Sequence, residues 1–179
     1  MKVAILTLGF HPRPLEHVLL TQKPNECHLV ASGDGLRYIA SEHGYTEQNL
    51  MVLKSVAKRV GCKLNIYHCD PFDPESIGDA LSKILRKIDL DDDVTINYSG
   101  GTQAMSLVLG SVAVILSRMM PVKVLYSTRS PGGKEKIYDH TKVLKELFRK
   151  LYEIVPNGPS DRGTAAAQRL ANRARRRKA

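Results

Sequence analysis

The stretch Asp93-Val94-Thr95-Ile96-Asn97-Tyr98-Ser99-Gly100-Gly101-Thr102-Gln103-Ala104-Met105 (DVTINYSGGTQAM) decides the fold. Its first half is rich in β-branched residues and reads as a buried strand over residues 93–98. Gly100 and Gly101 break that strand, and Thr102 stands where a helix N-cap belongs. An apolar helix then runs to about residue 119. A strand passing through a glycine turn into a helix is half of a βαβ unit, and such units build parallel sheets.

Working outward, the same alternation recurs almost throughout. Residues 2–8 (KVAILTL), 27–32 (CHLVAS), 63–68 (KLNIYH) and 122–128 (VKVLYST) read as further strands, with a short sixth over 136–140. Residues 14–21, 47–60, 74–88 and 141–154 read as helices. The second has Leu50, Leu53, Val56, Ala57 and Val60 on one stripe, with Gly61 as its stop. The class expected is α/β: a Rossmann-like, doubly wound, mostly parallel sheet of about five to six strands with helices on both faces. The chain has no internal repeats. A Rossmann-like domain is expected over residues 1–155, and a basic C-terminal tail over 156–179.

The charge is uneven. The 179 residues carry 27 Lys and Arg against 18 Asp and Glu, a formal +9. Residues 156–179 hold seven basic residues and one acid, a net +6, which leaves a net +3 on residues 1–155. A nucleic-acid binder argued from bulk charge would therefore be a misreading of the folded part. The tail is open to loose, weak contact with nucleic acid, or serves solubility alone. Cys27, Cys62 and Cys69 form no CxxC pair and read as reduced thiols of a cytoplasmic protein. The N-terminus reads as a first strand rather than a signal peptide. The longest apolar stretch, residues 107–116, is half the length that a bilayer requires, so no membrane contact is expected.

In such folds ligands bind beyond the carboxyl ends of the strands, where strand order reverses. The loops there are 9–14, 33–36, 70–73, 99–103 and 129–134. The loop after the fourth strand has the strongest chemical character. Its glycines let backbone approach a ligand, the helix behind it directs N–H groups at an anion, and Asn97 and Ser99 add polar groups. The alternative is a tight turn with an ordinary cap. In the first loop, Arg13 could pair with a phosphate and His11 could move a proton; the alternative is a surface loop with incidental charges.

Two common motifs fail. No GxGxxG follows the first strand, and neither glycine-rich loop has the lysine of a Walker motif, so NAD-enzyme and ATPase readings weaken. Tyr67-His68-Cys69-Asp70 invites a metal, but strand alternation splits its ligands between two faces, so neither metal nor cofactor is expected. The long helix after Thr102 is apolar almost all round. It is either sandwiched in the core or shared with a second subunit, and the favoured reading is a two-fold homodimer.

Three features together resemble one family: Val3-Ala4-Ile5-Leu6-Thr7-Leu8-Gly9-Phe10, Asn97-Tyr98-Ser99-Gly100-Gly101-Thr102-Gln103-Ala104-Met105, and the β/α order. They look like the CRISPR-associated Rossmann fold (CARF) domains of type III CRISPR antiviral systems, over roughly residues 1–155. The resemblance implies a homodimer binding a cyclic oligoadenylate, most often the tetra-adenylate, across its two-fold axis. By match to the motif, Asn97, Ser99, Gly100, Gly101, Thr102 and Gln103 would hold ribose and phosphate, with Gly9, Phe10 and His11 on the opposite wall. Arg13 and Arg129 are the cations expected beside them. Family members usually carry a nuclease or winged helix after this domain, and some 24 residues are too few for either. That favours a ring nuclease, which cleaves the cyclic messenger without metal. Its candidates are His11 for proton transfer, Ser99 at the phosphate, and Lys134, Arg129 or Lys136 as cationic cover. The competing reading is a non-catalytic sensor or regulator acting through the tail or a partner.

Overall fold

A computed structural model describes residues 1–129 and 135–154. Six strands form one sheet in the order β3-β2-β1-β4-β5-β6: β1 (Lys2–Leu8), β2 (Glu26–Ala31), β3 (Lys63–His68), β4 (Asp93–Asn97), β5 (Val122–Arg129) and β6 (Glu135–Asp139). The first five are parallel; β6 is antiparallel to β5 and lies at the edge. The helices are α1 (Arg13–Gln22), α2 (Gly33–Arg37), α3 (Asn49–Val60), α4 (Pro74–Leu85), α5 (Gln103–Leu116) and α6 (Thr141–Ile154). The Rossmann-like, mostly parallel class is as expected from the sequence, whereas the antiparallel direction of β6 is not read there.

β1 is central, and every residue after Lys2 is buried, so both its faces need covering. Ala4, Leu6 and Leu8 form one core with Cys27, Leu29 and Ala31 of β2, Leu15, Val18 and Leu19 of α1, and Leu53, Val56 and Ala57 of α3. By strand alternation Val3, Ile5 and Thr7 face the other side. That side carries α4 and α5, whose Ile77, Leu81, Ile84, Met105, Leu109 and Ala113 are buried. In register, Leu6 lies beside both Leu29 and Asn97, and Asn97 lies beside Leu125. The chain order therefore reverses between β1 and β4, as a doubly wound sheet requires.

Gly61 ends α3 with φ 71°, the left-handed conformation that made it readable as a stop. Sequence reading treats residues 33–36 as a loop, but they form the short α2, with Ser32 Oγ accepting from the Gly35 amide at 3.0 Å. Five residues are too few to show a helical period. The chain divides into two compact units, Met1–Thr141 and Lys142–Ala179. In the second, Glu146 and Arg149 pair across one turn of α6 at 2.7 Å. No described helix is long and apolar enough to cross a membrane.

Candidate functional site

Two loops leave the sheet at the reversal point, one from β1 and one from β4, and they are built into each other. The Gly9 amide donates to the Gly100 carbonyl. A β-carbon on Gly100 would overlap the Thr7 carbonyl oxygen and the Leu15 side chain. One on Gly9 would come within 2.9 Å of the Gly100 carbonyl oxygen. Gly35, after β2, joins the same knot: a β-carbon there would lie 2.8 Å from the Gly9 carbonyl oxygen. These glycines permit loop to meet loop, a packing role that the sequence reading, which weighs ligand approach against a tight capped turn, does not include.

The polar side chains of the β4 loop form a second lattice. Asn97 is buried; its Nδ2 donates to Ser127 Oγ at 2.9 Å, and its Oδ1 accepts from the Ser99 amide at 3.0 Å and the Ser99 hydroxyl at 2.5 Å. Ser99 Oγ in turn accepts from the Ser127 amide at 2.9 Å. The loop is thereby stitched to β5. Thr102 caps α5 by accepting from the Met105 amide at 3.3 Å, and its hydroxyl donates to the Pro71 carbonyl, which draws in the loop after β3. Gln103 is exposed at the start of α5.

These side chains are engaged within the scaffold, and the open hydrogen-bonding groups here are on the backbone. Among the described residues no hydrogen-bond acceptor occupies the N–H groups of Gly100, Gly101, Gln103 or Ala104. They cluster at the positive end of a 14-residue helix. The Thr7 hydroxyl, fully buried beneath Gly101, also has no hydrogen-bond partner among the described residues.

The β1 loop brings His11, Arg13 and Phe10 to the same end of the sheet. The His11 ring stacks on His43 at 4.0 Å between centroids. Arg13 donates to the His43 carbonyl at 3.1 Å and lies over the Tyr45 ring. Burial, followed by a hydrogen bond to Glu16, pushes the Tyr45 hydroxyl up to about 12, so it is a neutral donor rather than a base. Cys69, after β3, is pushed up to about 11 by burial and is no ready nucleophile. Arg129 closes β5, beside Glu135 in register, and Lys136 is exposed on β6. Lys134 lies outside the described residues. Among the described residues no group of three His, Cys, Asp or Glu side chains is placed to hold a metal ion.

Sequence reasoning missed Tyr38, Asn49 and Ser127. It also assigned no role to His140, whose Nδ1 lies 2.9 Å from the Tyr98 hydroxyl and whose ring stacks on Tyr126. Register alone could have found part of this, since β5 and β6 pair Tyr126 with Tyr138, and Tyr98 directly follows the Asn97–Leu125 pair of β4 and β5.

Amide-lined loops at a strand-order reversal are an arrangement suited to an anionic ligand. No protein-family model and no curated protein matches the chain. Solved structures match its fold. Can2 from Sulfobacillus thermosulfidooxidans, in complex with cyclic tetra-adenylate, aligns at a TM-score of 0.54 and 12% identity, over 76% of this chain and 36% of that one. Csm6 from Enterococcus italicus, bound to cyclic hexa-2′-fluoro-hexa-dAMP, aligns at 0.54 and 15%, over 87% of this chain and 41% of that one. The chain thus spans less than half the length of either. At these identities the likeness is one of fold, and it is the Rossmann-like α/β fold expected from the sequence.

Proposed function

We propose that this chain binds a cyclic oligoadenylate, cyclic tetra-adenylate first among them, at the interface of a homodimer, as a sensor in type III CRISPR signalling. The observation that carries the reading is the group of unclaimed amides from Gly100 to Ala104 at the head of α5, held against the β1 loop at the strand reversal. Such amides suit phosphate oxygens, and a symmetric ring suits two copies of one loop. The sequence motif and the two ligand-bound structures of the same fold support the same ligand.

Cleavage of the ring is the second part of the proposal. A ribose 2′-oxygen attacks the adjacent phosphorus in line and the 5′-oxygen leaves, closing a 2′,3′-cyclic phosphate. A base takes the 2′-hydroxyl proton and an acid returns one to the 5′-oxygen. His11, backed by the stacked His43, is the candidate for proton transfer. Ser99 and the amides would hold the phosphate, and Lys134, Arg129 and Lys136 would offset its charge. Against turnover stands the Ser99 hydroxyl, already engaged by Asn97 and Ser127, which favours a non-catalytic sensor.

Labelled cyclic tetra-adenylate incubated with the protein in chelator separates these readings. Linear products ending in a 2′,3′-cyclic phosphate establish the ring nuclease. Tight binding without turnover establishes the sensor, and absence of binding overturns both. Ser99→Ala and Thr102→Ala should each weaken binding about tenfold, because they release the loop that presents the amides.

A further inference from the structure

The loops around the proposed ligand crevice carry aromatic rings that phosphate recognition leaves unexplained. Phe10, after β1, is 53% exposed, and Tyr38, after α2, is 37% exposed. Their rings meet edge to face, 4.9 Å between centroids and 62° between planes. That geometry leaves ring faces open to solvent.

The pair is held from within. Asn49, fully buried at the first position of α3, donates from Nδ2 to the Phe10 carbonyl at 3.2 Å and to the Gly35 carbonyl at 2.9 Å. Its own amide donates to the Tyr38 carbonyl at 2.9 Å. One interior residue, through its side chain and its own amide, thus fixes the main chain of both aromatic residues. The Tyr38 hydroxyl donates to Glu42 at 3.3 Å, which steadies the outer edge of the ring. Exposed aromatics ordered before a ligand arrives lose little freedom on binding it.

We infer that Phe10 and Tyr38 form a stacking platform for a purine base of the bound ligand. The inference rests on the reading above that the crevice takes a cyclic oligoadenylate. Backbone amides grip phosphate but cannot sense what the sugar carries, whereas a base needs a flat apolar partner, and aromatic side chains provide it in single-stranded nucleic-acid sites generally. The platform stands on the loop whose Gly9 bonds Gly100, so base and phosphate contacts are set by one connected unit.

The chain contains no tryptophan, so Tyr38→Trp installs a single fluorophore at the platform. Wild type, Tyr38→Trp, Tyr38→Ala and Phe10→Ala are titrated with cyclic tetra-adenylate by calorimetry, and Tyr38→Trp also by emission. The platform predicts that Trp emission is quenched along the calorimetric isotherm, and that each alanine variant binds about tenfold more weakly. Unquenched emission with alanine variants binding as wild type overturns the platform and leaves the ligand assignment standing. No heat with wild type overturns the ligand assignment, and the platform with it.

Discussion

Gly100 is fixed by what surrounds its α-carbon. A methyl group there would enter the space of the Thr7 carbonyl and the Leu15 side chain, neither of which can retreat, since Thr7 and Leu15 are both buried. Gly100→Ala should therefore cost about 1–3 kcal/mol or more, as overpacking does, and lower the thermal midpoint. Gly78, inside α4, meets nothing within 4 Å, so Gly78→Ala should raise stability by about 0.5–1 kcal/mol through helix propensity. Melting the two variants beside wild type checks both signs; equal effects would show that Gly100 is not sterically required. Glycines after strands are conspicuous in sequence, which is why Gly9, Gly100 and Gly101 are legible there. Asn49 and Ser127 are not. Their importance comes from carbonyls and hydroxyls 14 to 39 residues away, and no local pattern encodes such a distance.

At the scale of elements, β1, β2 and β4 were legible because burial on both faces forces continuous apolar runs, and helices because one buried face leaves a 3.6-residue period. α5 obeys neither rule, and the sequence reading favours a second subunit over simple burial as its cover. The structure buries Met105, Leu109, Ala113 and Leu116 and leaves Leu107 70% and Ile115 58% exposed. An apolar stripe one helix long is costly to leave in water. The proposed two-fold dimer covers it with a second copy. Leu107→Glu with Ile115→Glu places two charges on the exposed face and removes nothing from the core. Sedimentation should then show monomer where wild type sediments as dimer, with the thermal transition of the folded monomer retained. A wild-type monomer, or a double variant that stays dimeric, would exclude this helix as the interface.

For the whole molecule, charge and site lie in different parts of the chain. The tail from residue 156 carries net +6, while the proposed site draws on neutral amides, glycines and aromatic rings with a few loop cations, all within residues 9–136. Recognition of a small cyclic nucleotide and attraction to long polyanions should therefore be separable. Changing Arg173, Arg175, Arg176 and Arg177 together to Gln removes four positive charges and no residue proposed for the site. Cyclic tetra-adenylate affinity should stay within about twofold of wild type. Retention on duplex DNA should weaken at low salt, and the slope of log affinity against log salt should flatten by about 0.9 for each arginine that had met a phosphate. Loss of cyclic-nucleotide binding in this variant would place the tail in the site and refute the separation. An unchanged salt slope would reduce the tail to a solubility element, because charges that neutralise no phosphate release no counterions.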